Sequence, residues 1–92
     1  MGFYLKDPHS RVDYAIDWGG YLDGQTIAQS QWSVTPQEAG GIAVEQASFD
    51  LDRSAARIAG GIVGRVYSLA NRVTMSDGSV DERSIVLRVE DR

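Results

Sequence analysis

The sequence has no cysteine. That excludes a disulfide staple, a thiolate nucleophile and a cysteine-ligated zinc. It has one histidine, His9, set in the polar segment KDPHSR. No nucleophile elbow accompanies it, so the parts of a hydrolytic triad are missing. Lys6 is the only lysine, and AGGIVG at residues 59–64 has neither a Walker lysine nor the G-x-G-x-x-G spacing. These glycines fit a tight turn between strands, not a phosphate cradle. Fully apolar runs are only a few residues long, too short for a membrane-spanning helix. The opening residues MGFYLKDPHSR lack a long apolar stretch and a cleavage site, so no secretory leader is expected in them. Positive charge is also scarce. The net charge is −4, and a nucleic-acid binder needs a basic face.

With 92 residues, a single domain is expected. A domain of this size buries roughly 60–65% of the surface exposed by its unfolded chain, so its core must be used economically. The charge is uneven along the chain. Residues 1–46 carry Asp7, Asp13, Asp17, Asp23, Glu38 and Glu45 against Lys6 and Arg11, which accounts for the whole −4. Residues 47–92 balance seven acids with seven arginines.

What the sequence does have is a period of two. Val12, Tyr14, Ile16 and Trp18 alternate with Asp13, Ala15 and Asp17, as in a half-buried strand. The glycine-rich GGYLDG then turns the chain. Residues 25–34 read as a second strand, with Ala28, Ser30, Trp32 and Val34 on one face and Ile27 on the other. Residues 42–46 and 47–52 give two short strands or one continuous strand, with Ile42, Val44, Phe49 and Leu51 as core candidates. Within residues 53–59 the reading is a short strand ending at Ile58, with a single helical turn as the alternative. Residues 65–75 and 79–89 are the longest strands, and Val86 breaks the alternation of the last one.

Parity fixes the turn between these two. A three-residue loop, Ser76-Asp77-Gly78, pairs Leu69 with Ile85 and Tyr67 with Leu87, so the apolar sets share a face. A two-residue loop would put them on opposite faces. Gly78 then takes the left-handed position of the loop. Short strands at this spacing predict an all-β antiparallel sandwich or barrel, and the chain length suits an immunoglobulin-like antiparallel β-sandwich without a disulfide, or a fibronectin-like one. Residues 11–92 form the domain and residues 1–10 an N-terminal arm. Trp32 and Tyr67 are expected to fill the space between the sheets.

The carboxylates of DYAIDWGGYLDGQTI could mark an active site or metal site. Asp13 and Asp17, four apart on one strand, project from the same face about 13 Å apart. That is too far for either glycosidase geometry, and no loop has calcium-binding spacing. No catalytic, cofactor or metal residue is therefore assigned. Phe3, Tyr4 and Leu5 form an apolar arm that can pack on its own domain or on a neighbour.

LKDP, VDYAIDW, YLDGQTIAQSQW and GRVYSLANRVTMSDGSVDERSIVLRV together resemble the small tail-region virion proteins of tailed bacteriophages, of the fiber-tail adaptor type. Lys6, Asp7 and Pro8 match the start of that pattern, and Asp13, Tyr14, Asp17 and Trp18 its first strand. Leu22, Gly24, Gln25, Thr26 and Ile27 match the next segment, followed by Ser30 and Trp32. Tyr67, Leu69, Asn71, Arg72, Val73 and Thr74 match the later strand. Asp77 and Gly78 match the turn, and Arg83, Ser84, Ile85, Leu87, Arg88 and Val89 the last strand. Gly19, Gly20 and Tyr21 depart from the pattern in the first loop.

The resemblance implies a sandwich without enzymatic activity that joins virion components in the particle and assembles in the host cytoplasm. The expected partners are other phage proteins, with a homo-oligomeric ring as one arrangement. Neither nucleic acid nor membrane is expected to bind. Contact candidates are Phe3, Tyr4 and Leu5, the first loop (Trp18, Tyr21, Leu22), and Arg57, Arg65, Arg72, Arg83 and Arg88. The alternative is a carbohydrate- or surface-binding sandwich with Trp18, Tyr21 and Trp32 as an aromatic platform, which would need exposed rings.

Overall fold

The computed structural model describes residues 3–19 and 24–91. It is all-β. The strands are β1 (Phe3–Lys6), β2 (Val12–Asp17), β3 (Ile27–Thr35), β4 (Ile42–Phe49), β5 (Arg53–Gly60), β6 (Val66–Met75) and β7 (Val80–Val89). They form two sheets, ordered β1-β7-β6-β3 and β2-β5-β4. Neighbours are antiparallel except β1 and β7, which run parallel from Phe3 opposite Val86 to Lys6 opposite Val89.

The alternation in the sequence sets the faces. In β6, Tyr67, Leu69, Asn71, Val73 and Met75 are buried, and the residues between them are not. In β2, Val12, Tyr14 and Ile16 are half-buried while Asp13, Ala15 and Asp17 are exposed. Segment 53–59 is a strand, not a helical turn. Both sheets feed the main core. Ile42, Ala56 and Ile58 come from one, and Val34, Tyr67, Leu69, Leu87 and Val89 from the other. A second cluster holds Trp18, Ile27, Val73 and Met75. Along β6, Asn71 separates the two, since Leu69 belongs to the first and Val73 to the second.

The β6–β7 hairpin has the register that parity required. Leu69 pairs with Ile85 and Tyr67 with Leu87. The Met75 amide donates to the Ser79 carbonyl at 2.7 Å, and Gly78 has φ +90°. A Cβ at Gly78 would meet nothing within 4 Å, so only the backbone demands glycine there. Gly78→Val should therefore cost about 1–2 kcal/mol from the left-handed conformation alone. Ser79→Val should cost clearly less, losing chiefly the Ser79 Oγ bond to Asp77 Oδ1 (2.6 Å). Urea denaturation of the two variants tests this, and equal losses would contradict the turn. At the opposite end Gly61 is required by space as well. A Cβ there would lie 2.5 Å from Val89 Cγ2.

The N-terminal arm, open between packing on its own domain and on a neighbour, includes β1, which lies in its own sheet beside β7. Three expectations need correction. Ile27 shares the inner face with Val34 despite opposite parity, because a bulge between Ile27 and Gln29 inserts one residue. Phe49 and Leu51, expected in the core, are 47% and 64% exposed. Phe49 lies opposite the buried Ser54, on the inner face, but at the last position of an outermost strand, where little covers it. Leu51 lies in the turn beyond it. Finally, Trp18, expected as a contact residue, is fully buried, while Trp32 is only half-buried on the outermost strand β3.

Candidate protein-binding surface

Among the described residues, no three His, Asp or Glu side chains gather as a metal site would need. Asp13 lies directly opposite Arg57 in the register of β2 and β5, and Arg57 Nε donates to Asp13 Oδ1 at 2.9 Å. That bond holds the Asp13 carboxyl below its ordinary range and raises the Arg57 guanidinium. Both groups are exposed, so the pair contributes little to stability. Asp17 Oδ1 accepts from the Gly19 amide at 2.9 Å, closing the end of β2. His9 is exposed, with its backbone amide bonded to Asp7 Oδ1.

Most arginines named as contact candidates are engaged within the chain. Arg72 pairs with Glu82 at 3.2 Å and Arg88 with Glu90 at 2.8 Å. Arg83 sits over the Trp18 ring, 5.8 Å from its centroid. Arg65 is exposed in the loop before β6. The contrast between an acidic first half and an arginine-rich second half is therefore partly neutralised inside the fold, since Asp13–Arg57 joins the two halves.

Trp18 is held by a buried polar network. Its Nε1 donates to Ser54 Oγ (3.1 Å) and Asn71 Oδ1 (3.2 Å), and Ser54 Oγ donates to Asn71 Oδ1 at 2.6 Å. Asn71 Nδ2 donates in turn to Ser30 Oγ and the Gln31 carbonyl. This buried ring cannot serve in an aromatic platform. Tyr21 and Leu22 lie outside the described residues.

The first strand divides its side chains between the two faces. Tyr4 points inward, with its ring 5.3 Å from that of Tyr14 on β2, which bridges the outermost strands of the two sheets. Burial raises the Tyr14 hydroxyl pKa. Lys6, 1% exposed, is the residue that sequence reasoning missed. Its Nζ donates to the carbonyls of Asp7 (2.9 Å), Ser10 (2.7 Å) and Gly60 (2.8 Å). Burial pushes its pKa down, and the neighbouring Asp7 carboxylate opposes that shift. The only sequence signal was a lone lysine closing an apolar stretch, FYLK.

Leu5 points outward and is 44% exposed. The registers place Leu5, Arg88 and Val66 in one row across β1, β7 and β6. Val66 is 51% exposed. The adjacent row contains Phe3, Val86 and Ser68, and Val86 is half-buried. Leu5, Val66 and Val86 thus make an apolar patch on the solvent side of the four-stranded sheet, with Arg88 among them. Ser68, Ala70, Arg72 and Thr74 continue the same face of β6 as a largely polar surface. An apolar patch with an arginine inside a polar surround has the composition of a protein-contact surface. Val86 had announced it by interrupting the alternation.

These features define a small all-β module with an exposed apolar patch on its four-stranded sheet. A family model, podophage GP4 fiber-tail adaptor protein gp77, matches residues 6–88. The chain belongs to that family of phage fiber-tail adaptors, and its role is structural. A search of curated proteins finds no match to it.

Proposed function

We propose that this chain is a non-enzymatic adaptor built on an immunoglobulin-like sandwich, joining tail components of a phage particle through protein–protein contacts. The strand order supports the fold assignment. β2-β5-β4 corresponds to the B-E-D sheet, and β3-β6-β7 to C-F-G. β1 joins the second sheet as a parallel edge. The chain works in the virion and is incorporated during assembly in the host cytoplasm. Its net charge of −4 argues against nucleic acid as the partner.

The observation that carries the functional reading is the outward row Leu5–Arg88–Val66. A domain this small has few apolar residues to spare from its core, yet these face solvent. Leu5→Asp and Val66→Asp should leave the melting temperature within a few degrees, because both positions are exposed. Each should reduce the amount of this chain in purified phage particles at least tenfold, read by quantitative mass spectrometry. Incorporation at wild-type levels would overturn the patch. Absence of the wild-type chain from particles would overturn the adaptor reading itself.

A further inference from the structure

An adaptor joins at least two components, so it needs a second surface apart from the Leu5–Val66 patch. The strand directions place that patch at the Lys6–Val66–Val89 end of the sandwich. At the other end, three connections lie side by side: the described residues of the β2–β3 connection (18–19 and 24–26), the β4–β5 turn and the β6–β7 turn. Backbone bonds knit them together. The Trp18 amide donates to the Asp52 carbonyl and the Ile27 amide to the Leu51 carbonyl, both at 2.8 Å, and the Ser76 amide donates to the Thr26 carbonyl at 2.7 Å. Ser76 Oγ adds a bond to Gln25 Oε1 at 2.6 Å.

This braced end carries exposed apolar side chains. Leu51 is 64%, Val80 58% and Phe49 47% exposed. Leu51 is held outward in the turn between Asp50 and Asp52, and its amide is fixed by Asp50 Oδ1 at 2.8 Å. Asp77 and Asp81 flank Val80 on the neighbouring hairpin. The ion pairs between described residues use none of these four aspartates.

We infer that this end is a second docking surface and that its partner is a different virion protein presenting lysines or arginines around an apolar contact. The inference rests on the adaptor reading. Charge selects the occupant. A basic surface complements the aspartates around Leu51, whereas a second copy would bring another net −4, with four of its eight arginines (Arg11, Arg57, Arg72 and Arg88) already held by carboxylates.

The absence of cysteine makes the test clean. Particles are assembled with Leu51→Cys or Leu5→Cys and treated with a thiol-to-amine cross-linker. The expected result is a Leu51→Cys cross-link to a lysine of another virion protein, with a yield at least tenfold lower when Asp50→Asn and Asp52→Asn are added. Leu5→Cys should cross-link elsewhere. Cross-links from position 51 only to other copies of this chain would overturn the inference. So would no cross-link there while position 5 reacts, or a yield unchanged by the asparagine substitutions. If neither variant nor the wild-type chain enters particles, the adaptor reading falls and takes this inference with it.

Discussion

Lys6→Met should lower the unfolding free energy by about 3 kcal/mol, against roughly 5–14 kcal/mol for a whole domain of this size. Methionine keeps most of the aliphatic stem and removes the ammonium. The Asp7 carbonyl would still accept from the Ser10 amide and the Ser10 hydroxyl. The Ser10 and Gly60 carbonyls, both half-buried, would lose their bonds to the ammonium, and an acceptor left unpaired away from water costs about 1–3 kcal/mol. For a domain of this size the melting temperature should fall on the order of 15 °C. Lys6→Arg should not restore it, because a planar guanidinium cannot direct its donors to three carbonyls as an ammonium does. Urea denaturation followed by tryptophan fluorescence measures both variants. A loss below about 1 kcal/mol for Lys6→Met would mean that water replaces the ammonium and that the lysine does not brace this end.

Asn71→Leu should cost about as much, roughly 3–4 kcal/mol, for a different reason. The leucine fits the volume but has neither donor nor acceptor. Trp18 Nε1 and Ser54 Oγ would lose Asn71 Oδ1, and Ser30 Oγ and the Gln31 carbonyl would lose Asn71 Nδ2. These groups come from both sheets, so the network ties the sheets together as well as fixing the Trp18 ring. Ser54→Ala removes fewer bonds and should cost about 1–2 kcal/mol. The two substitutions together should fall short of the sum of their separate costs, since they share one hydrogen bond. Additive losses in a double-mutant cycle would show that the network is not coupled.

Both of these residues show where sequence reading stops. Period-two alternation identifies strands well, and at the β6–β7 hairpin it also sets the register, because a slip of one residue exposes Leu69 or Ile85. A bulge defeats the same reasoning. One inserted residue in β3 put Ile27 on the inner face with Val34 despite their opposite parity, and residue type does not announce the insertion; Phe49, opposite the buried Ser54, is left half-open because it ends the outermost strand β4. Nor does alternation tell an outermost strand from a central one. Trp18 and Trp32 look alike in sequence, yet β3 has a neighbour on one side only, whereas Trp18 lies over Ser54 and Asn71. β1 was missed for its length: four residues without alternation carry no period. The outward patch was half legible. Leu5 stood out as part of an apolar arm, but its row with Val66 exists only once β1, β7 and β6 are in register.

The parallel pairing of β1 with β7 has a mechanical consequence. The two strands point the same way, so tension applied between Phe3 and Val89 draws them past each other along their length. The hydrogen bonds between them are then loaded together in shear, not opened one after another as in a peeled hairpin. The Lys6 ammonium, bonded across to Gly60 on the other sheet, adds a cross-tie at the end of the sheared pair. A part that links tail components in this way would yield abruptly at a high force and not creep under a low one.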